Sequence, residues 1–139
     1  MNKLVEAVGE FDEATSPDIQ GISGVYTPDG ETMFRVRFRR AGGMNDDFNK
    51  AWEKITRTYR RGGVDMSTLA PKVQRNLTAP LYARHVLIGW EAEDFGTEFS
   101  VDAAEATLKK VPAFLDWLVS QATNQSNFVQ RTRENDAGN

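Results

Sequence analysis

The chain contains no cysteine. Disulfide bridges, thiolate metal sites and cysteine nucleophiles are therefore excluded, and the absence fits a reducing cytoplasm. There is a single histidine, His85. A zinc site would need carboxylates for every remaining ligand, a donor set that structural zinc sites rarely use. No apolar run approaches the roughly 20 residues that span a bilayer as a helix. The opening residues, MNKLVEAVGEFDEA, lack the basic start, apolar stretch and small-residue cleavage site of a signal peptide, so the protein is expected to stay where it is made. A basic excess is also missing. Seventeen Lys and Arg stand against 20 Asp and Glu, for a net charge of −3, which disfavours a dedicated nucleic-acid binder. Internal repeats, low-complexity tracts, phosphate-binding loops and nucleophile elbows are all absent.

What remains is 139 residues of ordinary globular composition, 40% hydrophobic and 27% charged, enough for one domain with a real core. The chain divides into an N-terminal segment, 1–20, with a bias to flexibility, a single globular domain, 21–130, and a flexible tail, 131–139. In the first segment Leu4, Val8 and Phe11 suit a short helix, Gly9 argues against it, and a strand is equally open. Disorder is expected near Thr15–Asp18.

Residues 22–39 read as a β-hairpin. Thr27-Pro28-Asp29-Gly30 is the turn, with proline presetting φ and glycine accepting a left-handed conformation. From Thr32 to Arg39 the residues alternate, with Phe34, Val36 and Phe38 on one face and Arg35, Arg37 and Arg39 on the other. Asn45 then caps a helix with Asp46 and Asp47 in its first turn, and Gly62-Gly63 ends it. Phe48, Trp52, Ile55 and Tyr59 form its apolar stripe. Residues 67–90 form a second helical region entered at Pro71. Pro80 either kinks one long helix or starts a new one capped by Thr78. The run 79–90 is expected to be the central helix, with Leu81, Val86, Leu87 and Ile88 buried. A solvated acidic loop, 91–99, leads to a helix over 101–110 capped by Ser100. Pro112 opens the last helix, with Phe114, Leu115, Leu118 and Ala122 inward. The fold class is therefore α+β, mostly α, with an N-terminal hairpin packed on a bundle of about four or five helices.

Candidate chemistry is sparse. His85 lies in an apolar run and reads as structural. The acids Glu91, Glu93, Asp94 and Glu98 do not follow the calcium-loop spacing. No catalytic, cofactor-binding or metal-binding residue is assigned, and the protein is expected not to be an enzyme. The basic residues carry more information. Arg35, Arg37, Arg39 and Arg40 line the strand, and Lys50, Lys54, Arg57, Arg60 and Arg61 follow on the helix. A solvated face, an acidic protein partner and nucleic acid are the three readings. Protein is favoured over nucleic acid because Phe34, Phe38 and Trp52 are committed to packing rather than base stacking. Trp52 and Trp90 are assigned to the core, while Trp117 stays open as an interface anchor. The candidate partner-binding residues are Arg35, Arg37, Arg39, Lys50, Lys54, Arg57, Trp117 and Phe128.

The order of segments adds a resemblance. Phe38-Arg39-Arg40-Ala41-Gly42-Gly43, then Asn45, an aromatic helix and Tyr59-Arg60-Arg61, resembles the opening of tail assembly chaperones of long-tailed bacteriophages. Leu81-Tyr82-Ala83 followed by Val86-Leu87-Ile88-Gly89-Trp90-Glu91 is similar to their helix ending in Gly-Trp-Glu. An acidic loop with Gly96, then Phe99-Ser100, Val111-Pro112 and a closing Asn127-Phe128 complete the likeness over residues 34–139. The chain departs from the family at Phe95-Gly96, where an Asp-Gly turn is common, and at Glu98, where proline is common. The resemblance implies a protein that binds the phage tape measure protein, keeps it soluble and helps recruit major tail tube protein. It implies residence in the infected host's cytoplasm and absence from the mature virion. Self-association is left open, and neither a cofactor nor a membrane is implied. The alternative is a head–tail joining or tail-completion protein retained in the particle.

Overall fold

The structure, a computed structural model, describes residues 2–129. The expected flexible tail, 131–139, lies outside the described residues. Seven α-helices and a three-stranded antiparallel sheet are present among them, so the chain is α+β and mostly α.

The hairpin forms where the alternation places it. Strands β1 (Ile22–Tyr26) and β2 (Phe34–Phe38) pair with Ile22 opposite Phe38, Gly24 opposite Val36 and Tyr26 opposite Phe34. Those six positions make the inner face. The second arm starts at Phe34 rather than Thr32, because Asp29 claims the residues before it. Its carboxylate accepts from the backbone N–H of Glu31 (2.9 Å) and of Thr32 (2.6 Å) and from the Thr32 hydroxyl (2.6 Å). Those donors, led by the hydroxyl, hold the Asp29 pKa at about 2.

Helix α3 (Asp46–Arg61) is the helix read from the sequence, down to the Asn45 cap and the closing glycines. Helix α4 (Pro71–His85) continues through Pro80 as one helix. The Thr78 hydroxyl donates to the Gln74 carbonyl instead of capping a new helix. Proline at 80 removes the donor that would meet the carbonyl of Asn76, an exposed residue, so water can satisfy that group.

The largest departure is at the end of this helix. The chain leaves helical geometry at Val86, and Leu87–Trp90 form strand β3, paired antiparallel to β2. The central helix expected over 79–90 therefore stops five residues early. The reason is β2 itself: with β1 on one side, its other edge presents backbone groups that must be paired. Arg39 N–H donates to the Val86 carbonyl (2.8 Å) and Glu91 N–H to the Arg35 carbonyl (3.0 Å), so the pairing extends past both ends of β3. A bulge between Gly89 and Leu87 turns Ile88 outward, 38% exposed, contrary to its expected burial, while Leu81, Val86 and Leu87 are buried as expected.

The region expected to be a solvated acidic loop is ordered too. Ala92–Phe95 form one helical turn, α5, closed by Gly96 in the left-handed conformation. Phe95 stacks on Trp90 with ring centroids 4.3 Å apart, and the Trp90 indole donates to the Thr97 carbonyl. Trp90 is thus half-buried, packed against the edge of the core and covered by this turn. Helices α6 (Val101–Lys110) and α7 (Pro112–Thr123) follow as expected, with Ser100 capping the first. Phe114, Leu115, Leu118 and Ala122 all face inward.

Helix α4 is central. It packs on α6, on α3, on α7 and on β3. Ala79 and Ala83 on α4 and Ala104 on α6 are completely buried, and side chains that small let two helix backbones approach closely. Phe38, Leu108, Leu115 and Leu118 fill the space between sheet and bundle, each contributing about 1.5–3 kcal/mol by leaving water.

The N-terminal boundary moves as well. Disorder was expected near Thr15–Asp18, but Pro17–Gln20 form a short helix, α2, and Asp18 is buried. Its carboxylate accepts from Met44 N–H at 2.8 Å and pairs with Arg40 at 3.3 Å. Residues before it form helix α1 (Lys3–Val8), which buries none of its side chains.

Candidate functional site

The arginines of β2 and its continuation meet specific acceptors inside the molecule. Arg35 makes a two-pronged contact with Asp94 on α5, at 2.9 and 3.0 Å, and its backbone N–H donates to the same carboxylate. The Arg35 side chain and backbone donors hold the Asp94 carboxyl below its ordinary range, and Asp94 raises Arg35 in return. Arg37 donates to the Ser23 hydroxyl and to the carbonyls of Gln20 and Gly21 at the end of α2, where a cation is favoured. Arg39 is largely covered, approaches Asp47 at 3.6 Å, and keeps one buried nitrogen, Nε, without a partner. Arg40 is held by Asp18. The row expected to face a partner thus ties α5, α2 and α3 to the sheet.

On α3, Lys50 and Lys54 are exposed, and Arg57 pairs with Glu53 one turn away. Trp117 is half-buried, packed between Tyr26, Phe38 and Phe114. Phe128 is buried against Phe38, so its ring serves the core and offers no surface to a partner. His85 is half-buried and uses its backbone carbonyl, not its ring, to receive the Asn45 side chain.

The structure collects a different set of residues into an open concavity. Residues of helices α3, α4 and α7 line a groove of about 820 Å³. Its floor is apolar: Phe48 and Trp52 from α3, Tyr82 and Pro71 from α4, Leu115 and Val119 from α7. Its rim is polar, with Asn49, Gln74, Arg75 and Asp116. Trp52 is not in the core as its stripe position suggested. It is 40% exposed, stacked flat over Phe48 with ring planes 7° apart. Phe48 in turn meets Tyr82 edge to face at 5.6 Å. Burial pushes the Tyr82 hydroxyl up to about 12, so it stays a neutral phenol at ordinary pH.

An apolar floor flanked by polar side chains between helices suits an amphipathic helix laid lengthwise. Sequence reasoning missed Gln74, Arg75, Tyr82 and Val119 as site residues. The one signal that pointed there was Trp52, a large aromatic one turn beyond Phe48, whose exposure periodicity alone does not reveal. Among the described residues there is no group of three or more His, Asp or Glu side chains able to hold a metal ion. None of the described helices is long and apolar enough to cross a membrane.

Compared with known proteins, the chain matches the model of one family, described as YdaY prophage protein, over residues 43–139. No curated protein and no solved structure matches it. The matched span holds all three walls of the groove.

Proposed function

This chain belongs to the YdaY prophage protein family, and is thus phage-related, and we propose that it is a tail assembly chaperone without enzymatic activity. In this reading it binds the phage tape measure protein in the host cytoplasm, helps recruit tail tube subunits, and leaves before the virion is complete. The observation that carries the reading is the groove between α3, α4 and α7, with Trp52 exposed on its floor. A tape measure protein is a long helical chain whose apolar stripes lie open until the tube surrounds it. Stripes of that kind aggregate unless something covers them. A groove with an aromatic floor and a polar rim covers such a stripe without a bond being made or broken. Many copies along one long chain give avidity, so each contact can be weak.

The test is co-expression with the tape measure protein of the same prophage. The proposal expects that protein to shift from the insoluble to the soluble fraction, and expects the shift to be lost with Trp52→Glu. Mass spectrometry of purified particles separates the alternative. Stoichiometric copies in the virion would replace the chaperone by a head–tail joining or tail-completion component.

A further inference from the structure

We infer that strand β1 pairs with β1 of a second copy about a twofold axis at Gly24, extending the three-stranded sheet to six strands. The inference does not rest on the proposed function. It begins with the direction of backbone groups. In an extended strand the N–H and C=O of one residue point to the same side, and successive residues alternate. Arg39 N–H donates to Val86 and the Arg35 carbonyl accepts from Glu91, at the two ends of β3. The odd-numbered residues of β2 therefore face β3, and Phe34, Val36 and Phe38 face β1. In the β1–β2 register these stand opposite Tyr26, Gly24 and Ile22. The N–H and C=O of Ser23 and Val25 thus point away from β2, along the open edge of the sheet. Among the described residues no backbone group meets these four, and at Ser23 the Arg37 side chain bonds the hydroxyl, not the backbone.

The edge has none of the devices that keep sheet edges apart. Ile22–Tyr26 holds no charge and no proline, its pairing with β2 has no bulge, and Ser23 and Val25 are exposed. Nor is the space beside it filled. A hollow of about 400 Å³ lies between the strand and Trp117, Gln121 and Asn127.

A second copy is the occupant because this edge is complementary to itself. Its free groups lie symmetrically about Gly24. Antiparallel pairing sets Ser23 against the second copy's Val25, and Val25 against its Ser23. Every donor then meets an acceptor, and four hydrogen bonds form. Gly24 faces its own counterpart at the axis, a pair without hydrogen bonds whose Cα atoms come within about 4.5 Å. Glycine places no side chain in that contact. Val25, 45% exposed, gains its counterpart as a diagonal neighbour, and no like charges meet across the axis. Five paired residues bury less than the roughly 1,200 Å² of a stable interface, so the dimer is weak and reversible. The hollow shares no residue with the α3–α4–α7 groove, since α7 gives Trp117 and Gln121 to one and Leu115, Asp116 and Val119 to the other. Each dimer therefore carries two open grooves and can grip one long partner twice.

Sedimentation equilibrium of the full chain, together with amide hydrogen exchange, tests this. Half-dimerisation is expected on the order of 0.1 mM, with the Ser23 and Val25 amides exchanging more slowly as concentration rises. Val25→Pro is the discriminating variant. The N–H it removes faces away from β2, so the fold is kept while each copy loses an edge donor, and dimerisation should weaken at least about tenfold. Val25→Lys, which brings two cations together near the axis, should do the same and serves if Val25→Pro melts early. A full chain that stays monomeric at millimolar concentration overturns the inference. So does a dimer that keeps its affinity in Val25→Lys, or one whose Ser23 and Val25 amides exchange as fast as in the dilute monomer. Protection of these amides that does not depend on concentration overturns it too.

Discussion

The side-chain amide of Asn45 donates to the backbone carbonyl of His85 at 2.9 Å, joining the start of α3 to the end of α4. The same nitrogen donates to the Arg40 carbonyl at 2.8 Å, while the amide oxygen accepts from Phe48 N–H at 3.3 Å. Asn45 is fully buried. One side chain therefore caps one helix, receives the end of another and holds the loop between sheet and bundle. Capping alone would make aspartate an equal replacement. Here it is not, because a carboxylate would face two carbonyl oxygens. We predict that Asn45→Asp and Asn45→Ala both lose about 3–5 kcal/mol: each strands two buried acceptors, to which alanine adds a lost cap and aspartate a buried carboxylate facing those acceptors. Chemical denaturation measures both. Wild-type stability in Asn45→Asp would reduce this junction to an ordinary cap.

Gly24 faces Val36 across the hairpin and lies under the Phe38 ring. A methyl group there would sit 2.7 Å from Phe38 Cε1 and 3.4 Å from the Trp117 ring. Phe38 is 1% exposed and cannot move aside. Gly24→Ala should cost about 1–3 kcal/mol by overpacking, despite alanine's lower conformational entropy in the unfolded chain. Adding Phe38→Leu should recover part of it, which a thermal melt of the double variant would reveal.

The pH response has two limbs. Asp94 and Asp65 are held below the ordinary carboxylate value of 3.8, Asp94 chiefly by the Arg35 side chain and Asp65 chiefly by Ser67 N–H, and Asp29 lies near 2. A carboxyl depressed in the folded state contributes stability that is present above its unfolded value and lost as pH falls through its folded one. Stability should therefore decline below about pH 4, with most of the fall between there and pH 2. Asp94→Asn should shallow that decline. At the other end Tyr82, raised from 10.0 to about 12, contributes below pH 10 and loses that contribution as pH rises through 12. Tyr82→Phe should remove that alkaline loss, on the order of 2 kcal/mol. Urea midpoints measured across pH decide both.

Phe48 and Trp52 stack on one another yet should respond differently to truncation. Phe48 is buried, whereas Trp52 is exposed to the groove. We expect Phe48→Ala to cost about 3 kcal/mol and Trp52→Ala about 1 kcal/mol, while Trp52→Ala is the variant that impairs rescue of the tape measure protein. Equal loss of stability in the two, with rescue intact in Trp52→Ala, would remove Trp52 from the site.

The local signals were clear where one residue type dominates its own backbone. The Asp29-Gly30 turn, the Asn45 and Ser100 caps, the prolines opening α4 and α7, and the inward set of α7 all follow from neighbours within a few positions. Less was legible at the candidate site. The arginines alternate as a strand should, but whether they face solvent or bind depends on acceptors 14 to 59 residues away, at Ser23 and Asp94. Trp52 keeps its place on the α3 stripe, but it lines the open groove that α3 shares with α4 and α7 and so stays uncovered.

By itself, the amino-acid sequence determined the hairpin, the starts of the four long helices and the ends of α3 and α6, because caps, turns and periodic apolar spacing act over one or two turns of chain. It could not decide Val86 to Trp90, an apolar run equally suited to a buried helix or a strand. Tertiary structure decided that stretch, since the open edge of β2 needed hydrogen-bond partners that only a neighbouring strand could provide. It also decided which apolar side chains stay in water. Exposure at Trp52 and along α1 is a matter of what packs against them from elsewhere in the fold, and no local spacing carries that information.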